Sequence, residues 1–355
     1  MQLILLGGFL GSGKTTAIQQ ACSALLKQNN KVAVITNDQG KELVDTTFIN
    51  NFSIPVKEVV NGCFCCNYND LLQNIYYFSE QINPDIIFAE SVGSCTDMIA
   101  TIARPMAEMH PELSVNISVF VDVYLLHSII RGTSSFIDGD VRYIFQKQME
   151  EADVLILNKA DLVTQDELNE VMKVLRQDYS SKKILLQDSF NEKDIHQWLD
   201  TVRAMPALKR TSLDIDYNIY GSGEAKLAWL DAVLFIKTEK LPVVKAGSWL
   251  AEIIYEKIKA WQLTTGHLKF LIDDGKTQQK ISYTASDQIQ RPVFESTTFS
   301  ATVIINARVQ TEPDVIKKIF FEAIDEASLQ AKCRIEVQSL SAFKPGFPKP
   351  TYRMA

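Results

Sequence analysis

No apolar run in this sequence approaches the roughly 20 residues needed to cross a bilayer. Histidine is scarce: His110, His127, His196 and His267 are the only four, and no His-rich tract exists to store metal. Basic residues are in deficit, 36 against 43 acidic, and the net charge of -7 gives no electrostatic reason to expect nucleic acid. Internal repeats and low-complexity tracts are absent as well. The opening stretch MQLILLGGFLGSGKTT is apolar only from Leu3 to Leu6. It has no basic lead-in and no small-residue cleavage site, so no signal peptide is expected. These absences point to the cytoplasm, with neither membrane nor nucleic acid as partner. What remains is 355 residues, 46% hydrophobic and 22% charged, enough for one large or two ordinary domains.

From residue 1 to about 204, short Val/Ile/Leu runs alternate with helix-like stretches. Strands are expected at Leu3–Leu6, Val32–Thr36, Asp85–Ala89, Ile117–Val121, Val154–Leu157 and Ile184–Leu186. Helices are expected between them, including Lys14–Gln28, Asp70–Glu80, Gly139–Glu150 and Gln165–Arg176. This rhythm predicts an α/β domain over 1–204 with a mostly parallel sheet, its strands apolar on both faces because helices cover both. The polar stretch 205–228 reads as a linker. A smaller α+β domain follows over 229–340: strands at Trp229–Lys237, His267–Ile272, Gln279–Thr284, Phe299–Val309 and Arg334–Val337, and helices at Ser248–Trp261 and Pro313–Leu329. The end, 341–355, holds Pro345, Pro348 and Pro350 and reads as an irregular tail.

Between the first strand and first helix lies Gly8-Phe9-Leu10-Gly11-Ser12-Gly13-Lys14-Thr15, which fits the phosphate-loop pattern. Glycines let backbone N–H groups wrap phosphates, and the helix N-terminus adds partial positive charge. Gly8, Gly11, Ser12, Gly13 and Thr16 line such a cradle. Lys14 would reach the β- and γ-phosphates, and the Thr15 hydroxyl would take a Mg²⁺ position. The alternative is a glycine-rich turn that matches by chance.

Asn158-Lys159-Ala160-Asp161 follows a later strand. A carboxylate accepts only, and guanine presents two adjacent N–H donors where adenine has no such pair, so Asp161 selects GTP. Asn158 can brace the loop and the Lys159 stem can cover the base. An Asn/Asp helix cap is the plainer reading of the same residues. Two acids stand where Mg²⁺ or the attacking water would need them. Glu90 ends a strand before Ser91-Val92-Gly93, and Asp38 lies in Asn37-Asp38-Gln39-Gly40, where a switch loop would sit. Each is equally readable as an ordinary loop acid. Asp122 ends a strand with no assigned role.

Six cysteines are present, three of them in Gly62-Cys63-Phe64-Cys65-Cys66. Three thiolates at Cys63, Cys65 and Cys66 can converge on one soft or borderline ion such as Zn²⁺, Cu(I) or Co²⁺. With no histidine nearby in sequence, a fourth ligand would be water, a carboxylate or something distant. Redox sensing and a chance cluster of free thiols are the other readings. Cys22, Cys95 and Cys333 read as plain buried thiols.

Taken in order and spacing, GGFLGSGKTT, ITNDQGKELVD, NGCFCC, AESVG and LNKADLV resemble the CobW-like GTPases over residues 1 to about 190. The resemblance implies a phosphate-loop GTPase domain, a smaller α+β domain, slow GTP hydrolysis, and delivery of zinc, cobalt or a related metal, or a role in cobalamin metabolism. Lys14, Thr15, Glu90, Asn158 and Asp161 match its nucleotide motifs; Cys63, Cys65 and Cys66 match its metal motif. Asp38 stands where the family has Glu in Asn-Glu-Phe-Gly. Lys41 stands where a further acid follows, with Glu42 beside it, and carboxylates there help bind metal in some members. The expected function is a GTP-gated metallochaperone, using GTP, Mg²⁺ and Zn²⁺ or Co²⁺, that serves a client metalloprotein or corrinoid enzyme through the second domain. A GTPase assembly or reactivation factor with regulatory cysteines is the alternative. A small-molecule kinase is a third, disfavoured by Asp161. Self-association into a homodimer is left open.

Overall fold

A computed structural model describes residues 1–38, 44, 54–134, 139–206, 208–284 and 296–354. Lys41 and Glu42, together with Gln39 and Gly40, lie outside the described residues. Two compact units emerge: 1–39, 49–223 and 347–355 form one, and 40–48 with 224–346 form the other.

The first unit is built on a seven-stranded sheet in the order β3-β2-β4-β1-β5-β6-β7. Its strands are β1 (Gln2–Gly7), β2 (Val32–Asn37), β3 (Val56–Val59), β4 (Ile86–Glu90), β5 (Ser114–Asp122), β6 (Val154–Asn158) and β7 (Lys183–Gln187). Every pairing among them is parallel. Each of the central strands β1, β2, β4, β5 and β6 is a near-unbroken buried apolar run, the pattern a sheet covered on both faces demands. Helices α1 (Lys14–Lys27), α2 (Tyr68–Gln81), α3 (Arg104–Met109), α4 (Val123–Ile130), α5 (Gly139–Glu151), α6 (Gln165–Asp178) and α7 (Glu192–Ala204) connect them. One core gathers Ile4, Leu6, Ile18, Val34, Phe88, Phe120 and Ile156 around Trp198 of α7. The Trp198 indole is fully buried, and its N–H donates to Ser118 Oγ at 3.0 Å, so its one polar atom is satisfied.

The sheet order places β1 between β4 and β5, and the chain has left β1 toward opposite sides. That is a topological switch point, where α/β sheets open a crevice beyond the strand C-termini. The phosphate loop, Glu90, Asn158 and Asn37 all stand at those C-termini.

The edge strand β3 has no counterpart in the sequence reading. It is four residues long with Lys57 and Glu58 at its centre, too short and too polar to register as an apolar run. Helix α8 (Tyr217–Ala225) falls inside the stretch read as a linker, and 205–223 belongs to the first unit.

The second unit carries a five-stranded antiparallel sheet in the order β10-β9-β11-β8-β12. Its strands are β8 (Ala228–Lys237), β9 (Thr265–Asp273), β10 (Gln278–Thr284), β11 (Ser300–Val309) and β12 (Arg334–Phe343), and its helices α9 (Val243–Ala260) and α10 (Pro313–Ala331). The two helices and one face of the sheet share a core. Strand β12 runs six residues past the expected Val337, because the alternation of Ile335 and Val337 loses phase at a bulge between Val337 and Ser339 and resumes at Leu340 and Ala342. Among the described residues no helix is long and apolar enough to cross a membrane.

Candidate functional site

The phosphate loop turns through three left-handed glycines, Gly8 (φ 124°), Gly11 (φ 75°) and Gly13 (φ 92°), before α1 begins at Lys14. Lys14 is buried, and its ammonium donates to the Gly8 carbonyl at 2.6 Å and the Phe9 carbonyl at 3.4 Å. It is therefore curled over the loop it would serve. Thr15 Oγ1 donates to both carboxylate oxygens of Glu90, at 2.9 and 3.0 Å. The register that pairs Leu6 with Glu90 puts this acid beside the loop. A hydroxyl and a carboxylate in contact at the start of α1 form the oxygen pair that Mg²⁺ takes in a phosphate-loop site.

Asn158 braces the loop as expected. Its Nδ2 donates to the Ser12 carbonyl at 2.8 Å, and its Oδ1 accepts from Ser189 Oγ at 2.7 Å. The close approach requires Gly13: a Cβ there would lie 2.2 Å from Asn158 Nδ2. Gly13→Ala is expected to break the brace and strain the loop, costing about 1–3 kcal/mol of stability. GTP affinity should fall with it, as read by thermal unfolding and nucleotide titration.

Lys159 sits at φ 63°, and its Nζ is 2.5 Å from Asp122 Oδ2. This gives Asp122 a role the sequence did not reveal. It lies beside Asn158 in the β5–β6 register, caps α4 by accepting from the Leu125 amide at 3.1 Å, and holds the guanine-loop lysine. Asp161 follows in the short turn Ala160–Leu162 and is exposed. Thr16 is half-buried at the third position of α1. Asp38 follows β2, its amide donating to the Val59 carbonyl at 3.2 Å.

The Sγ atoms of Cys63, Cys65 and Cys66 all lie within 4.8 Å of one another. Cys63 and Cys66 are 3.3 Å apart, Cys65 and Cys66 3.8 Å. A tetrahedral zinc thiolate with Zn–S near 2.3 Å has a sulfur–sulfur edge of about 3.8 Å, so the spacing fits such an ion. Cys63 and Cys65 are buried and Cys66 is half-buried. The loop turns tightly, with the amides of Cys66 and Asn67 both donating to the Cys63 carbonyl at 3.0 Å. The Cys65, Cys66 and Cys95 thiols hydrogen-bond Cys63 and hold it well below the ordinary thiol range. The hydrogen bond with Cys63 in turn raises Cys65, and pushes Cys66 up to about 11.

Three further features were not anticipated. Asn37, at the end of β2, donates to the Val59 and Gly62 carbonyls (2.9 and 2.7 Å) and accepts from the Phe64 amide (2.8 Å). It stitches the strand before the switch-like stretch to the cysteine loop. Second, 347–355 belongs to the first unit and crosses that loop. The Lys349 amide donates to Cys66 Sγ at 3.3 Å, and Thr351 N and Oγ1 donate to the Cys65 and Cys66 carbonyls, each at 2.8 Å. Tyr352 packs edge-on against Tyr68, and Arg353 pairs with buried Asp97 at 2.8 Å. Pro-rich composition disclosed irregularity but not a docking place. Third, Cys95 is not an isolated buried thiol, since its side chain meets Cys63.

The segment after Cys95 is held by Glu151 of α5, whose carboxylate accepts from Thr96 Oγ1 and the Ile99 amide, both at 3.0 Å. Complete burial pushes Glu151 from its ordinary 4.5 up to about 8. Between those values the folded chain keeps a proton that the unfolded chain releases. Glu151 therefore makes stability fall as pH rises from about 4.5 through about 8. Glu151→Gln, whose oxygen can keep the Ile99 amide while its NH2 donates to Thr96 Oγ1, is expected to flatten that slope and to gain a few kcal/mol at pH 8. Denaturant unfolding from pH 5 to 8.5 checks it, and equal slopes would refute it.

A family profile described as "CobW/HypB/UreG, nucleotide-binding domain" matches residues 2–187, just over half of the chain. Among curated proteins, "Zinc chaperone YeiR" of Escherichia coli (strain K12) is 25% identical over 184 residues, 51% of this chain and 53% of that protein. "Zinc chaperone YjiA" of the same organism is 29% identical over 171 residues, 46% and 50%. "Zinc-regulated GTPase metalloprotein activator 1" of Dictyostelium discoideum is 27% identical over 211 residues, 48% and 42%. The chain spans about half the length of the curated relatives it matches. A solved structure of HypB from Helicobacter pylori in complex with nickel aligns at TM-score 0.41 and 16% identity, covering 57% of this chain and 86% of that one, too loosely to carry an argument. The profile covers the phosphate loop, the cysteine loop, Glu90 and Asn158–Asp161 together, and the chain belongs to the CobW/HypB/UreG nucleotide-binding family.

Proposed function

We propose that this protein binds and slowly hydrolyses GTP and uses its nucleotide state to hold and release a transition metal, zinc foremost and cobalt next, for a client protein. One observation carries the reading. The three-thiol cluster sits on a loop that Asn37 ties to the end of β2, in the same unit as a fully formed phosphate loop. The relatives' names supply the preference for zinc.

Each nucleotide contact falls to a named group. Backbone N–H groups of the Gly8–Thr15 turn cradle the phosphates, and Lys14 moves from the loop carbonyls to the β- and γ-phosphates. Thr15 and Glu90 would hold Mg²⁺, which would supply positive charge to the phosphate oxygens. Asp161 accepts the two guanine N–H groups while Asp122 steadies Lys159. Water attacks the γ-phosphorus, the bond to the β–γ bridging oxygen breaks to leave GDP and phosphate, and the lost contacts relax the segment after β2. Asn37 passes that change to the cysteine loop. Metal is cargo here, held by thiolates that each surrender a proton on binding. Client recognition is assigned to the second unit.

The test is metal analysis of untagged protein purified without chelators, with phosphate release measured on the same sample. The account expects one zinc or cobalt per chain and slow release of phosphate from GTP but not from ATP. Absence of bound metal after reconstitution with either ion would refute it.

A further inference from the structure

Beyond the three clustered cysteines, one more sulfur points at the same place. Cys95 is 3% exposed and its thiol hydrogen-bonds Cys63 Sγ. It also lies close enough to Cys65 to act on it electrostatically. The 4.8 Å envelope encloses the sulfurs of Cys63, Cys65 and Cys66, and Cys95 stands outside it, in contact with Cys63.

The segment bearing Cys95 is fixed at its backbone. Its amide donates to the Val92 carbonyl at 3.0 Å. Gln148 of α5, itself buried, sends its amide nitrogen to the carbonyls of Gly93 (3.0 Å) and Cys95 (2.8 Å). Upstream, the same segment touches the nucleotide machinery twice. Glu90 accepts from Thr15, and Gly93 packs so closely on the phosphate loop that a Cβ would lie 3.0 Å from the Leu10 amide nitrogen. A thiol buried on a well-tethered backbone, against the sulfur of Cys63, is positioned as a ligand rather than as filler.

We propose that Cys95 is the fourth metal ligand, so that cargo is held in a four-thiolate shell contributed by two loops, 63–66 and 90–95. This rests on the reading that Cys63, Cys65 and Cys66 bind metal. Three thiolates leave a tetrahedral ion one open position, and four close it. A modest shift of the Cys95 side chain toward Cys65 and Cys66, with loss of its proton to solvent, completes the shell. Because 90–95 also carries Glu90, the fourth ligand is the one directly joined to the Mg²⁺-binding acid. That gives nucleotide state a short route to the choice between closed and open coordination.

The experiment is zinc K-edge X-ray absorption on the full-length protein, reduced and loaded with zinc. It is repeated on Cys95→Ser, Cys95→Ala and the remote control Cys333→Ser, with chelator competition for affinity. The wild type and Cys333→Ser should show four sulfurs. The Cys95 variants should keep one zinc per chain with three sulfurs and a lighter fourth atom, and yield it to chelator more readily. Three sulfurs in the wild type, or a shell unchanged by Cys95→Ser, would overturn the proposal and leave the three-cysteine site standing. No sulfur around zinc, or no stoichiometric zinc, would overturn both. Should both Cys95 variants fail to fold, the sulfur count of the wild type decides.

Discussion

Replacing Lys14 with alanine is expected to lower GTP hydrolysis about 10²–10³-fold, the loss that follows removal of one preorganised charge donor at a transition state. Lys14 is buried, and its ammonium is held 2.6 Å from the Gly8 carbonyl, so the charge already stands within the loop that would enclose the phosphates. In phosphoryl transfer the protein forms no bond to the phosphoryl group, and catalysis is positioning plus charge. Alanine removes two contacts to the Gly8 and Phe9 carbonyls but leaves the Asn158 brace, which does not use the ammonium, to hold the loop. The fold should survive, and the defect should appear in the rate at saturating GTP as well as in affinity. Arginine should not rescue, because a planar guanidinium does not fit where a compact ammonium meets two loop carbonyls. Phosphate release at saturating GTP is the measurement, and an unchanged rate would contradict the assigned role.

The second large effect is expected from changing Cys63, Cys65 and Cys66 together to serine. Zinc affinity should fall by several orders of magnitude, because serine hydroxyls stay protonated at neutral pH and leave the ion without anionic ligands. Serine is nearly isosteric, and the Asn37 and Thr351 contacts on this loop go to backbone atoms, so the loop should keep its shape. Competition against a chromophoric chelator reads the change. Wild-type affinity in the triple variant would place the metal elsewhere.

Much of the site was legible because local patterns carry it. The glycine spacing of 8–13 needs left-handed turns that the structure contains, and Asn158 and Glu90 are marked by the strands they end. Three thiols within four residues meet in space almost wherever that loop goes. What escaped the sequence depends on pairing between distant segments. Asp122 gains its role only from the register that sets it beside Asn158, 36 residues later in the chain. Asn37 drew notice only as the residue before Asp38, yet its side chain ties β2 to the cysteine loop. Cys95 lay 29 residues past Cys66 and looked like any buried thiol until the turn after β4 brought it to Cys63. The final nine residues carry no periodic signal at all, and their place over Cys65 and Cys66 is set by backbone hydrogen bonds and one aromatic contact. Strand β12 was half-read because a bulge after Val337 shifts the phase of its apolar alternation.

The central claim is that nucleotide and metal are thermodynamically coupled, and zinc affinity measured in three states tests it most directly. The protein would be titrated with zinc against a competing chelator in the presence of a non-hydrolysable GTP analogue, of GDP, and of no nucleotide, all with Mg²⁺. The account predicts tightest binding with the GTP analogue and a loss of about tenfold or more with GDP, within the 1–3 kcal/mol usual for coupled sites. Equal affinity in all three states would contradict it, since a ligand shifts only states that it distinguishes.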